Sequence, residues 1–441
     1  MLSAEGTPTG TPVVPGRFAR AVTIDEGRFL RARYRRFAGL ARDDALSGEY
    51  SFVQLADTQF GMLPQIKTVQ WLRSLRRVVS FATCGLKDGR SVIPVPLLVG
   101  EASDEEEEGT LDADALLEVE IELSRKAVQA INALSPRPRF AVVCGDLVHA
   151  YPDKQPELNA EQIKIFKEVF SQVHPDIALV CVCGNHDVGD RVSSSNLRLW
   201  HERFGDDYLS FWVGRDQFIV LNTQLYKDPA AECLAAARAQ DRWLDEQLFG
   251  DAEREGRRNC TVFSHVPPFI DRAEEPSGYF PLAKPVRLNL LERCVQGGVG
   301  LWMAGHYHRN AGGAYKSLEV VTTAAVGGCL VSDPQGDRLG LSGMGKILGS
   351  DKVSGMRIVR VSAKGQVRHE YKTLAELLVG APPLDDIPPS PRTLSHGSGG
   401  LSSPGGLLSK SGQALRARLH ELSASAATSP LQQHQPKHKP T

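Results

Sequence analysis

The chain has 441 residues, 41% hydrophobic and 23% charged, which suits a soluble globular protein with one large α/β domain plus tails, or two ordinary domains. Its formal net charge of −1 gives no electrostatic reason to expect nucleic acid or an anionic membrane as partner. No apolar run approaches the ~18 residues of a membrane span, and MLSAEGTPTGTPVVPG lacks the basic and apolar regions of a secretory signal.

Residues 1–48 read as a basic, flexible extension rich in Gly, Pro and Arg, with no acid between Glu26 and Asp43. FVQLA (52–56) is the first buried-strand pattern. A loop-like acidic insertion follows at 85–109, ending in EASDEEEEG. The spacing of Leu116, Leu117, Ile121, Val128 and Ile131 predicts a helix over 113–134 with one broad buried face. FAVVC (140–144), IALVCVC (177–183), QFIVLN (217–222), CTVFS (260–264) and VGLWMA (299–304) continue as strands. Helical patterns at 160–171, 196–204 and 235–248 lie between them, and LEVVTT, RIVRVS and QVRHEY add late strands. This alternation argues an α/β domain over 49–375. The Pro/Ser/Gly-rich tail from 381 to 441 cannot bury a core and reads as disordered. Eight scattered cysteines without a secretory signal read as reduced thiols of a cytoplasmic protein.

Polar groups with chemical capability cluster where strands end. Asp57-Thr58-Gln59 follows the first strand, and Gly145-Asp146 the second. Gly184-Asn185-His186-Asp187, then His265, then Gly305-His306-Tyr307-His308 follow later ones. Loops beyond strand carboxyl ends converge on one crevice in open α/β sheets. Carboxylate, amide and imidazole donors without thiolate suit hard-to-borderline divalent ions. Two such ions about 3.5–4 Å apart can clamp a phosphate ester and activate water, and a further histidine can serve as general acid. His149, His174 and His201 read as surface or packing residues.

The ordered set D-x-[HQ], GD, GNH[DE], H and GHxH resembles the calcineurin-like metallophosphoesterase family from Tyr50 to Tyr371. That resemblance implies a sandwich of two mixed β-sheets flanked by helices. It also implies two divalent ions, drawn from Mn, Fe, Zn or Mg. Asp57, Gln59, Asp146 and His308 would hold one ion; Asp146, Asn185, His265 and His306 would hold the other. His186 would face the scissile phosphate, with Asp187 orienting its ring, and a metal-bridging hydroxide would attack in line. Arg309 and Asn310 are candidate substrate contacts.

EYSFVQLADTQFG, CGNHDVGD and GHYHRNAGG resemble a branch described as cytoplasmic serine/threonine phosphatases, implying a phosphorylated protein or small phosphoester as partner. Most of the family carries His where this chain has Gln59, and GDLVHA and GNHD depart from the GDxxDRG and GNHE of the large phosphoprotein-phosphatase group. A nucleotide or lipid phosphodiesterase, and a binding scaffold that has lost catalysis, are the alternative readings.

Overall fold

The computed structural model describes residues 24–43, 45–46, 48–65, 113–331 and 346–379, so the acidic segment at 85–109 and the tail from 381 lie outside the described residues. The basic segment expected to be flexible instead packs onto the domain from Ile24 onward. A helical turn, Glu26–Phe29, leads into a hairpin of β1 (Ala32–Arg33) and β2 (Arg36–Phe37). Phe29 is buried, with its ring 6.2 Å from those of Phe166 and Phe204. Arg28 is buried too, and its Nη2 donates to the Ile177 carbonyl at 2.8 Å. Arg35 donates from its backbone to Asp206 at 2.6 Å and from its guanidinium to Asp207 at 3.0 Å. A charge count could not anticipate this, because each of these guanidiniums has a specific acceptor and a long stem that covers apolar surface.

Five strands form one sheet: β3 (Tyr50–Leu55), β4 (Phe140–Cys144) and β5 (Ala178–Val182) run parallel, while β14 (Gly355–Val361) and β15 (Val367–Thr373) continue antiparallel beyond β3. The second sheet extends from β1 and β2 through β6 (Leu209–Val213), β7 (Asp216–Val220), β8 (Asn259–Phe263), β9 (Leu301–Ala304), β11 (Leu318–Thr322) and β10 (Ala311–Tyr315). Its β7, β8, β9 and β11 are mutually parallel, β6 is antiparallel to β7 but parallel to β2, and β10 is antiparallel to β11. Both sheets are mixed. A small pair, β12 (Cys329–Val331) and β13 (Lys346–Leu348), lies apart from them.

Alternation along the strands sorts the core into layers. Phe52 of β3 and Phe140 of β4 point between the sheets and stack with centroids 4.6 Å apart. Phe211, Phe218 and Phe263 meet them from β6, β7 and β8, with Phe140 only 4.9 Å from Phe218. The intervening residues Val53, Leu55, Ala141 and Val143 face the opposite way, toward the helices Ala113–Ala133 and Pro156–Phe170. Ile219, Val262 and Trp302 do the same on the other sheet, under the helices Leu234–Phe249 and Lys284–Gln296. The expected sandwich of two mixed sheets between helical layers is therefore the architecture. Among the described residues, no helix is long and apolar enough to cross a membrane.

Candidate metal centre

The loops after β3, β4, β5, β8 and β9 meet at one end of the sandwich and are stitched to one another by backbone bonds. Asp57 N donates to Gly145 O at 3.1 Å, Gln59 N to Asp146 O at 3.0 Å, and Gly305 N to His265 O at 3.0 Å. Among the described residues eight non-glycine residues have positive φ, and five of them are Asp57, Gln59, Asp146, His306 and His308. Left-handed backbone costs L-residues on the order of 1–3 kcal/mol each and concentrates where function demands it. Here it turns each strand end sharply enough to aim its side chain back into the crevice. Gly305 sits so close to β3 that a Cβ there would lie 2.6 Å from that of Ala56, which excludes any side chain.

Four donor atoms converge on one point. His265 Nε2 lies 3.1 Å from Asn185 Oδ1, 3.1 Å from His306 Nδ1 and 3.2 Å from Asp146 Oδ2. Asp146, His265 and His306 form a buried group of cation-binding type. Beside it, His308 Nε2 approaches Asp57 Oδ1 to 3.5 Å. The outward nitrogens are committed: His265 Nδ1 donates to Cys144 O at 2.9 Å, and His308 Nδ1 to Gly328 O at 2.6 Å. That arrangement fixes the tautomers and leaves both Nε2 atoms as inward donors, as in metal-binding histidines generally. Gln59 Oε1 is buried without a hydrogen-bond partner. An unpaired buried carboxamide oxygen costs about 1–3 kcal/mol, which a cation would recover. The residues present thus fit divalent ions.

The electrostatics point the same way. Burial pushes Asp146 upward, but His265 and His186 outweigh it and hold the carboxyl well below its ordinary range. Burial raises Asp57 to about 6 despite the opposing imidazoles of His308 and His265. Burial alone would lower His265, yet Asp146 and Asp57 lift it to about 9, while burial and His265 press His306 far down. A divalent ion there would be held by the Nε2 lone pair of neutral His265, whose Nδ1 proton stays donated to Cys144 O.

His186 lies at the rim of this cluster. Its backbone N donates to Asp146 Oδ1 at 2.8 Å, and its ring Nδ1 donates to His149 O at 2.5 Å. The His149 ring stacks on it at 4.7 Å and the Tyr151 ring lies 4.4 Å away. Asp187 does not orient the His186 ring, contrary to expectation. Its carboxylate accepts from Gly184 N at 2.8 Å and Leu147 N at 3.1 Å, tying the loop after β5 to the loop after β4. Adjacent residues in a helical turn point about 100° apart, so the pair diverges.

Asn310 is likewise turned away from the site. Its Oδ1 accepts from Arg357 Nη2 at 3.0 Å and Ala324 N at 3.4 Å. Arg309 donates Nε to Leu330 O at 2.7 Å and lines a shallow groove with Tyr279, Phe280 and Tyr307.

Several participants escaped the sequence reading. Asp190 and Tyr151 contact Asn185, at 2.9 and 3.3 Å. Tyr279 lies over His306 with ring centroids 5.1 Å apart, and Lys227 Nζ donates to Tyr279 O at 2.5 Å. Glu120, reaching across from its helix, accepts from Gly61 N at 2.6 Å and Leu63 N at 2.8 Å and so anchors the chain just beyond Gln59. The only sequence signal for any of these was Asp190's place five residues after Asn185.

Comparison with known proteins identifies the family. The sequence model of the calcineurin-like phosphoesterase family matches residues 120–310. The human serine/threonine-protein phosphatase CPPED1 is 40% identical over 261 residues, covering 59% of this chain and 76% of that protein. The Danio rerio protein of the same name is 35% identical over 320 residues, covering 72% of this chain and 90% of that protein. Among solved structures, purple acid phosphatase PPD1 from yellow lupin (Lupinus luteus) seeds superposes with a TM-score of 0.44 at 10% identity, covering 74% of this chain and 52% of that one.

Proposed function

The chain belongs to the calcineurin-like phosphoesterase family and is a metal-dependent phosphoesterase, and from that premise we propose that it hydrolyses phosphate monoesters on serine and threonine side chains of proteins. The observation that carries this reading is the meeting of Asp146, Asn185, His265 and His306 donor atoms beside Asp57, His308 and the partnerless Gln59 oxygen. We assign Asp57, Gln59, Asp146 and His308 to one ion, and Asp146, Asn185, His265 and His306 to the other, with Asp146 shared. When bound, two divalent ions supply the positive charge that activates water and stabilises a phosphoryl transition state. The mix of amide and carboxylate oxygens at the first position favours Mn²⁺ or Mg²⁺ there.

His186 has its Nδ1 proton committed to the His149 carbonyl, which leaves Nε2 for the crevice. Nε2 is placed to hydrogen-bond a phosphoryl oxygen, and in the imidazolium form, which the Asp146 carboxylate 4.0 Å away favours, it delivers a proton to the departing serine or threonine oxygen. Phosphorylated proteins as substrates follow the names of the relatives. Cytoplasmic residence belongs to the same proposal, and the buried free thiols Cys144, Cys183 and Cys294 suit a reducing compartment.

The test is hydrolysis of p-nitrophenyl phosphate, its bis-ester and a phosphoserine peptide with Mn²⁺, Mg²⁺ or EDTA. Monoester and peptide turnover should require metal and fall by about 10²-fold or more in His186→Ala. Asp146→Asn should abolish it. A preference for the bis-ester would make the protein a phosphodiesterase. No turnover from a folded, metal-loaded sample would leave a binding scaffold.

A further inference from the structure

We propose that Asp190 is a positioning residue that dictates which way the Asn185 carboxamide faces and, through Tyr151, where the His186 ring sits. This rests on the assignment of Asn185 as a metal ligand and of His186 as the proton donor. A primary amide presents nearly the same shape in either flip, but only its oxygen can bind a cation. Something must therefore specify the flip. Asn185 Nδ2 donates to Asp190 Oδ1 at 2.9 Å and to Tyr151 Oη at 3.3 Å. A carboxylate accepts and cannot donate, so it pairs only with the NH₂ edge. The Asn185 oxygen is thereby left facing His265 Nε2, 3.1 Å away.

The other carboxylate oxygen reaches the proton donor's neighbour. Tyr151 Oη donates to Asp190 Oδ2 at 2.9 Å, and the same oxygen lies 3.5 Å from His186 Nε2. With the His149 ring stacked against it as well, the imidazole is flanked by two rings and held at Nδ1. Gly189 makes the geometry possible: its φ of +96° turns the chain so that Asp190 returns toward Asn185. A Cβ at Gly189 would lie 2.8 Å from Arg191 O, so no other residue fits that turn without strain.

The experiment compares wild type, Asp190→Asn, Tyr151→Phe and Asn185→Ala, each stripped of metal and titrated calorimetrically with Mn²⁺, then assayed for kcat and KM. Asp190→Asn keeps the shape but adds an NH₂ group, so it no longer selects the flip. It should weaken one of the two Mn²⁺ equivalents by about 10–100-fold, the same equivalent that Asn185→Ala loses. Tyr151→Phe should keep both Mn²⁺ equivalents and KM while lowering kcat. If Asp190→Asn binds both equivalents like wild type while Asn185→Ala loses one, the positioning role is wrong and the ligand assignment stands. A lower melting temperature in Asp190→Asn with normal Mn²⁺ binding overturns it equally, because the residue would then be structural only. If Asn185→Ala also binds normally, the ligand assignment itself falls and the role of Asp190 with it. An unchanged kcat in Tyr151→Phe overturns the second arm.

Discussion

Gln59 adopts a backbone φ of +40° to bring into the crevice an oxygen that finds no protein partner. A neutral amide oxygen is a harder donor than imidazole, so under the proposed assignment this position bears on metal choice. Replacing Gln59 by His should shift the preference toward Zn²⁺ over Mn²⁺ by about tenfold, equivalent to about 1.4 kcal/mol, in a competition titration. An unaltered preference would show that Gln59 faces no ion. At this scale the sequence disclosed which residue types follow which strand, because glycine and ligand-type residues mark sharp strand ends. It did not disclose direction. Asp187 and Asn310 sit next to site residues in sequence, yet their side chains serve the backbone amides of Gly184 and Leu147 and the guanidinium of Arg357. Asp190 and Tyr151, by contrast, are brought together only by the folded turns.

Among the elements, the segment between β8 and the helix Lys284–Gln296 shapes the mouth of the site. It carries Tyr279, whose carbonyl lies 3.4 Å from His306 Nε2. Two clamps hold this loop. The Glu275 carboxylate accepts from Ile270 N at 2.8 Å and Asp271 N at 2.9 Å. Fully buried Arg287 donates Nε to Ala273 O at 2.8 Å and Nη1 to Leu282 O at 3.0 Å. Arg287→Met would strand those carbonyls, with an expected loss of about 3 kcal/mol in urea unfolding and faster proteolytic cleavage between 271 and 283. Wild-type stability and cleavage would mean that Glu275 alone suffices.

Element prediction from sequence worked where short apolar runs stood out, as in β3, β4, β7 and β8. It missed β10, whose AGGAY sequence has low strand propensity and relies on pairing with β11. It missed the β1–β2 hairpin for a different reason. Tyr34 and Arg35 make its turn at positive φ without the Asn-Gly signal such turns usually carry, and Arg35 is held there by Asp206 and Asp207.

For the whole molecule, the sandwich was expected from family resemblance, and its physical basis is the phenylalanine layer between the sheets. Phe140 touches both sides, stacking on Phe52 and meeting Phe211 and Phe218 at 5.0 and 4.9 Å. Phe140→Ala should cost about 3–5 kcal/mol, read as a lower urea midpoint with the m-value kept. A loss under about 1 kcal/mol would show that the layer can collapse around the gap.

The donor groups are divided between those same two sheets. Asp57, Gln59, Asp146 and Asn185 hang from the five-stranded one, and His265, His306 and His308 from the eight-stranded one. In the proposed assignment each ion draws donors from both sheets. The ions then act as rivets through a laminate: slip between the plies by a single residue shears both fastenings at once. Bound metal becomes a gauge of assembly, since a chain with only one ply formed would offer each ion an incomplete set of donors.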